Sequence, residues 1–391
     1  MAILITCRPN TGSTMLWNWL RQLPGATGYY EPTLPVLRQI VRYDPAPDPA
    51  HRHYHVPSYG TEYRRLPEFD RYYRPYFGLC DLYLDGPCEE GAELAEWLGY
   101  LLSSPASHGP VVLKDLNLSL RLAWVRVLFP GVKVVYLRRS ARAQWRTKLR
   151  NLRRHYGAIA GLDNFGDTSL SAYRDDLEWR FPFLGPRPAA APYALHYLIN
   201  ELVDKLTRAQ ADAIVEYDDL VARPAPTLGA LFEAVGFPAA AAGEVLRLAP
   251  VVPEAQRGSG DTPAPPGNED AELTGSVEET EGQCRRLLAE FGLAAESVLP
   301  GEVRAIRAKN PRYVTDAVDR SKGLHRALRR VSCESFDRWG MVLEKEAMIQ
   351  ELARVCEERL ELIERLDADL KRLQTVAAPT AEEGGNRGED R

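Results

Sequence analysis

Apolar residues in this chain come in short dense runs separated by polar stretches. Ala2 to Cys7 reads as a buried strand, Arg8 to Thr14 (RPNTGST) as a turn, and Met15 to Leu20 as the opening of an apolar helix. Thr27 to Tyr30 fits a second strand ending at Glu31-Pro32. Glu89 to Ser103 has an amphipathic helical pattern, and Val111 to Leu113 is a short strand leading into Lys114. Leu118 to Phe129 reads as a helix closed by Pro130-Gly131, followed by a Val-rich strand, Val132 to Leu137, and a basic helix, Ala141 to Arg154. Tyr193 to Ala209 (helix), Ala213 to Glu216 (strand) and Pro226 to Ala234 (helix with an early Pro) continue the alternation. Strands alternating with helices at this spacing predict an α/β fold: a parallel sheet flanked by helices on both faces.

The rest of the pattern divides the chain. Residues 1–250 form the α/β core, 251–282 a Pro- and Gly-rich loop or linker, and 283–340 a helical extension. Within 341–374, Ile349, Leu352, Cys356, Ile363, Leu366, Leu370 and Leu373 recur at alternating steps of three and four, broken only by Arg359. That repeat predicts a C-terminal coiled-coil helix and a homodimer formed through it; the other reading is a single amphipathic helix docked on the core. Residues 375–391 lack aromatics and are expected to be disordered. Asp44 to Gly78, rich in Tyr, Arg, Pro and His, reads as a long irregular insertion.

Composition narrows the function classes. The 391 residues carry a formal net charge of -5, so no global basic field points to nucleic acid, although Arg138 to Arg154 holds eight basic residues and no acid. No apolar run approaches the roughly 18 residues that span a membrane, and the N-terminus lacks the pattern of a signal peptide. Six scattered cysteines without a CxxC pair fit a reducing cytoplasm rather than a disulfide framework or a zinc site. His51, His53 and His55 would share one face of a strand and make a metal conceivable, but their surroundings read as a polar loop.

Two segments carry candidate chemistry. The loop after the first strand offers hydroxyls and backbone donors at Thr11, Gly12, Ser13 and Thr14, at the mouth of a helix whose dipole favours an anion. The Walker pattern is absent: with Gly12 as its second glycine, the first falls on Cys7 and the lysine on Ser13. In VKVVYLRRSARAQWRT, Val132 to Thr147, a strand ends at two arginines and a helix carries Thr147 on its second turn. An Arg fork plus a hydroxyl can cradle a phosphate; the bland reading is a solvated basic face.

These segments together bring a family into view. Strand–PNTGST–helix resembles the 5'-phosphosulfate loop of the sulfotransferases that use 3'-phosphoadenosine-5'-phosphosulfate. VVYLRRSARAQWRT resembles that family's 3'-phosphate motif, with Arg139 as its Arg and Thr147 in its Ser position. IVEYDDLVARPAPTLGALFEAVGF, Ile214 to Phe237, is similar to its late strand–helix segment. The resemblance covers about Ala2 to Pro250, and it implies a P-loop-like fold that binds 3'-phosphoadenosine-5'-phosphosulfate as co-substrate and moves its sulfuryl group to a hydroxyl of a small molecule without a metal. On that reading Asn10, Thr11, Gly12, Ser13, Thr14, Arg139 and Thr147 hold the donor, and Arg257, in RGSG, resembles a late loop over the 3'-phosphate; the other reading of RGSG is a linker.

The chain also departs from the family pattern. Asn10 stands where the loop normally has Lys or Arg after its Pro. The resemblance then leaves Arg8 and Lys114 to share the cationic role, and Glu31 as the base that takes the hydroxyl proton, with Asp115 as runner-up and His196 or the 51–55 histidines as further candidates. Trp17, Trp145 and Tyr217 are candidates to face adenine, and Asp44 to Gly78 and Tyr173 to Pro188 are candidate acceptor walls. The competing readings are a non-catalytic scaffold with a degenerate loop, and sulfation used to activate a leaving group.

Overall fold

The computed structural model describes residues 1–43, 59–103, 109–156 (side chains through 150), 174, 176–178, 180–185, 192–248, 277–313, 330, 331, 334, 335, 354–369, 371 and 372. Among the described residues, five parallel strands form one sheet: β1 (Ala2–Cys7), β2 (Thr27–Tyr30), β3 (Val111–Lys114), β4 (Val132–Arg138) and β5 (Ala213–Glu216), in the order β2-β3-β1-β4-β5. The predicted strands recur with their boundaries shifted by no more than one residue. The described helices of the same unit are α1 (Ser13–Leu20), α2 (Leu37–Tyr43), α3 (Phe69–Tyr72), α4 (Ala92–Leu102), α5 (Leu122–Leu128), α6 (Ala141–Tyr156), α7 (Pro192–Arg208), α8 (Tyr217–Ala222), α9 (Pro224–Val235), α10 (Ala241–Leu248), α11 (Val277–Glu290) and α12 (Pro300–Lys309). The fold is α/β, a parallel sheet flanked by helices.

The centre of the sheet decides where chemistry can occur. β1 pairs with β3 on one side (Ile5 opposite Lys114) and with β4 on the other (Cys7 opposite Leu137). β2 puts Tyr30 opposite Lys114, and β5 puts Glu216 opposite Arg138. The carboxyl ends of all five strands therefore reach one edge. The order reverses about β1, and an open α/β sheet opens a crevice at such a switch point. β1 is buried on both faces, with Ile3, Leu4, Ile5 and Cys7 at most 1% exposed, which is why it reads as an unbroken apolar run rather than an alternating one.

Two predictions are corrected here. The predicted helix from Leu118 starts instead as a 3-10 turn, Ser119–Arg121, before α5. Asp115 Oδ1 accepts from the N–H groups of Asn117 (2.7 Å) and Leu118 (3.1 Å), a side-chain turn that competes with helix initiation. The described part of the Tyr-rich insertion is not irregular: it winds through Tyr63–Arg65, α3 and Pro75–Gly78. Of its described rings, all but the half-buried Tyr72 are core rather than acceptor wall. Tyr63, Phe69 and Tyr73 are buried against Trp97 of α4. In the second candidate wall, Leu177, Phe181 and Phe183 are likewise buried, and Trp179 lies outside the described residues.

Residues Met1–Asp337 form one compact unit and Arg338–Arg391 a second. Within the second, 354–369 is helical, and Leu360, Leu362, Ile363 and Leu366 are exposed. The 251–276 stretch and the 373–391 tail lie outside the described residues. Among the described residues, no helix is long and apolar enough to cross a membrane.

Candidate active site

The loop between β1 and α1 is shaped by two left-handed residues. Asn10 has φ 64° and Gly12 φ 83°. Asparagine tolerates this conformation better than lysine or arginine does, which gives a backbone reason for Asn10. Gly12 is required twice over: besides its φ, a Cβ there would meet Cε2 of Tyr217 at 2.4 Å. The Gly12 carbonyl takes the first helical bond from Met15 N (3.1 Å), so Ser13 and Thr14 stand in the first turn of α1 with helix-dipole amides. Thr11 Oγ1 donates to the Arg8 carbonyl (2.8 Å) and closes the loop at its root. Arg8 itself is 3% exposed.

The second predicted segment meets this loop directly. Arg139 follows β4, and its Nη1 donates to the Asn10 carbonyl at 3.0 Å and to Thr147 Oγ1 at 3.1 Å. Its guanidinium carbon lies 4.3 Å from the centroid of Tyr217, the ring packed on Gly12. Gln144 Nε2 holds the Arg139 carbonyl at 2.7 Å. The structure thus gathers Asn10, Gly12, Arg139, Thr147 and Tyr217, from the three segments that carry the family resemblance.

Lys114 and Glu31 form the third part. They are 2% and 5% exposed and make a direct ion pair through Nζ and Oε1. Glu31 has φ 48°, held by its N–H to the Lys114 carbonyl (2.6 Å) and by Leu116 N–H to Oε2 (3.1 Å). Burial lifts the Glu31 carboxyl above the ordinary range, against the pull of Lys114. For Lys114 burial acts against the charge, but Glu31, Tyr30 and Cys7 outweigh it and hold the ammonium above the usual lysine value. Tyr30 joins this pair to the loop: its hydroxyl lies 3.0 Å from Thr14 Oγ1, and Lys114 Nζ lies 4.5 Å from its ring centroid.

Other sequence candidates take structural roles. Asp115 Oδ2 accepts from Thr33 N (2.9 Å) and Thr33 Oγ1 (2.7 Å) while Oδ1 holds Asn117 and Leu118, so this carboxylate shapes the two turns and its lone pairs are engaged. His196 is buried, with Nε2 on the Ala141 carbonyl (3.0 Å) and its ring against Trp145. Trp17 and Trp145 are 0% and 1% exposed, so neither offers an open face to adenine, and Arg139 covers Tyr217. Arg257 and His51, His53 and His55 lie outside the described residues. Among the described residues, no group of three His, Cys, Asp or Glu side chains could hold a metal ion.

Sequence reasoning missed Tyr30 and Cys7. Tyr30 was legible only as a strand residue, because its link to Thr14 depends on β2 lying two strands from β1. Cys7 ends β1 fully buried, beside Ser13 and Thr11, and burial pushes its thiol upward despite Lys114 nearby.

No protein-family model matches the sequence, and no curated protein matches it. Among solved structures, the crystal structure of a sulfotransferase from Alicyclobacillus acidocaldarius is similar at 14% identity and a TM-score of 0.34, covering 77% of this chain and 98% of that one.

Proposed function

We propose that this protein is a sulfotransferase, moving the sulfuryl group of 3'-phosphoadenosine-5'-phosphosulfate to a hydroxyl of a small molecule. The observation that carries the reading is Arg139 touching both Thr147 and the Asn10 carbonyl, which joins the two phosphate-type segments into one anion cradle. Two phosphate groups on one nucleotide would engage both segments. The donor set fits: a guanidinium fork, hydroxyls of Ser13, Thr14 and Thr147, and the first-turn amides of α1.

In this reading the acceptor oxygen bonds to sulfur as the bond from sulfur to the 5'-phosphate oxygen breaks. The electron pair stays on the phosphate, and the hydroxyl proton passes to Glu31. Lys114 stabilises the charge that develops on the leaving phosphate, supplying the cation that Asn10 does not. The Lys114–Glu31 pair couples these roles. An incoming phosphate competes for Lys114, and Glu31, buried and relieved of its partner, becomes a stronger base. Arg8, buried at the root of the loop, adds a second positive charge.

The test pairs binding with product. 3',5'-Bisphosphoadenosine is expected to raise the melting temperature, whereas 5'-AMP and ATP with Mg are not. Incubation with the sulfate donor and a panel of hydroxyl compounds is expected to yield a product heavier by one SO3. Equal stabilisation by AMP, or none by the bisphosphate, would sink the reading. Donor binding without any sulfated product would leave the fold as a scaffold or turn attention to leaving-group activation.

A further inference from the structure

Tyr30 ends β2, which lies at one end of the sheet, yet its side chain reaches the loop after β1, two strands away. The peptide bond that follows it is anchored at both ends. The Tyr30 carbonyl accepts from the Tyr63 hydroxyl at 3.0 Å, and the Glu31 N–H donates to the Lys114 carbonyl at 2.6 Å. The ring is equally engaged. Tyr59 stacks on it at 4.2 Å, Trp17 meets it edge-on at 5.1 Å, and Lys114 Nζ lies 4.5 Å from its centroid. None of these contacts needs a hydroxyl, because a phenylalanine ring would serve the stack, the edge contact and the cation. The hydroxyl has its own partner: Thr14 Oγ1, at 3.0 Å, in the first turn of α1.

The direction of that bond decides what Thr14 can do. A threonine hydroxyl has one proton and two lone pairs. If Thr14 donates to Tyr30, its proton is spent inside the protein and the loop loses a donor. If Tyr30 donates, the Thr14 proton is left for an anion in front of the helix. A phenol is a stronger acid than an alcohol, with an ordinary pKa of about 10, and so is the better donor of the two. Lys114 favours the same direction, because its ammonium supports negative charge on the phenol oxygen. Burial opposes ionisation and outweighs Lys114, so the phenol keeps the proton that it donates.

We propose that Tyr30 is a positioning residue of the anion loop: its hydroxyl donates to Thr14 Oγ1, which aims the Thr14 proton at an oxygen of the donor's 5'-phosphate. The inference rests on the sulfotransferase reading and adds to it a residue from the end strand of the sheet. It gives a reason for a tyrosine at this position, where the stacking and cation contacts ask only for an aromatic ring. With Asn10 in place of a cation, the loop relies more on oriented neutral donors. A chain from Tyr30 through Thr14 to the phosphate also polarises each hydroxyl in the same sense, which strengthens the last bond.

The test is a double-variant cycle, read by calorimetric titration of the full chain with 3',5'-bisphosphoadenosine. Tyr30→Phe keeps the ring and should weaken binding about two- to tenfold, the loss of one neutral hydrogen bond. The same loss should appear in the Thr14→Ser background, which retains a hydroxyl. Thr14→Val should itself cost about two- to tenfold, and in that background Tyr30→Phe should change nothing further, because no hydroxyl is left to orient. Melting curves verify that every variant is folded. An equal loss from Tyr30→Phe in all three backgrounds would show a packing role alone and overturn the inference. So would full affinity in Tyr30→Phe. Either result, obtained with a wild type that binds the bisphosphate, leaves the sulfotransferase reading standing. A wild type that does not bind it removes both.

Discussion

Arg139 and Thr147, eight residues apart, meet at 3.1 Å, and the same Arg139 nitrogen reaches the Asn10 carbonyl at 3.0 Å. One guanidinium therefore ties the second turn of α6 to the loop after β1. Arg139→Ala removes a charge-assisted contact as well as this tie, and should weaken 3',5'-bisphosphoadenosine by about ten- to a hundredfold. Thr147→Ala removes one neutral hydroxyl and should cost about two- to tenfold. Isothermal titration would check both. Unchanged affinity in Arg139→Ala would dismiss the cradle.

Gly12 should tolerate no side chain. Alanine there combines φ 83° with a Cβ placed 2.4 Å from Tyr217 Cε2. The left-handed backbone costs about 1–3 kcal/mol by itself, and the ring must also move. Gly12→Ala should therefore lower unfolding stability in urea by at least that amount and abolish bisphosphate binding. Tyr217→Leu in the same background should recover part of the stability but not the binding, since the φ strain persists and Arg139 loses the ring beneath it.

How much of this was readable beforehand follows from the range of each interaction. β1, β3 and β4 are legible because burial on both faces leaves a local apolar run. The Arg139–Thr147 pair is legible because eight residues span a strand end and two helical turns. The Lys114–Glu31 pair is not: 83 residues separate them, and only the register that sets Tyr30 opposite Lys114 brings them together. Composition also misled at Trp17, Tyr63 and Phe181. Aromatic rings near a suspected site look like ligand platforms in sequence, yet all three are 0% exposed and pack the core. Asp115 stood as runner-up base in sequence; its four hydrogen bonds show a carboxylate used to fold two turns.

The C-terminal helix carries its own prediction. Within 354–369, Ile363 and Leu366 lie on the three-four seam and are 61% and 60% exposed, with Leu360 and Leu362 beside them. Exposed apolar residues at this spacing are expected to bury against a second copy of the same helix. Ile363→Asp should convert a dimer to a monomer in sedimentation equilibrium while leaving bisphosphate affinity intact. Cys356, also on the seam and exposed, should cross-link two copies under oxidation if the helices run parallel and in register. A wild-type monomer at every concentration would remove the prediction.

The Lys114–Glu31 pair should govern both activity and the alkaline limit of stability. Glu31→Gln leaves the Lys114 ammonium buried without its counter-charge, and breaking a buried pair in this way costs about 3–5 kcal/mol. On the proposed reaction, in which Glu31 takes the hydroxyl proton, activity should fall with it. The pH dependence follows from the raised Lys114 value. The folded state holds the proton more tightly than the unfolded chain does, so the stabilisation is fully present below the unfolded lysine value of about 10.4. Above that pH the unfolded chain gives up its proton first, and stability declines as pH rises toward the folded value. Urea unfolding at intervals from pH 8 to pH 11 should show wild-type stability falling over the last unit, and Lys114→Met, less stable at pH 8, should fall by less over the same interval. Parallel curves for the two proteins would mean that the pair is not formed in solution, and the coupling of cation and base proposed for the reaction would go with it.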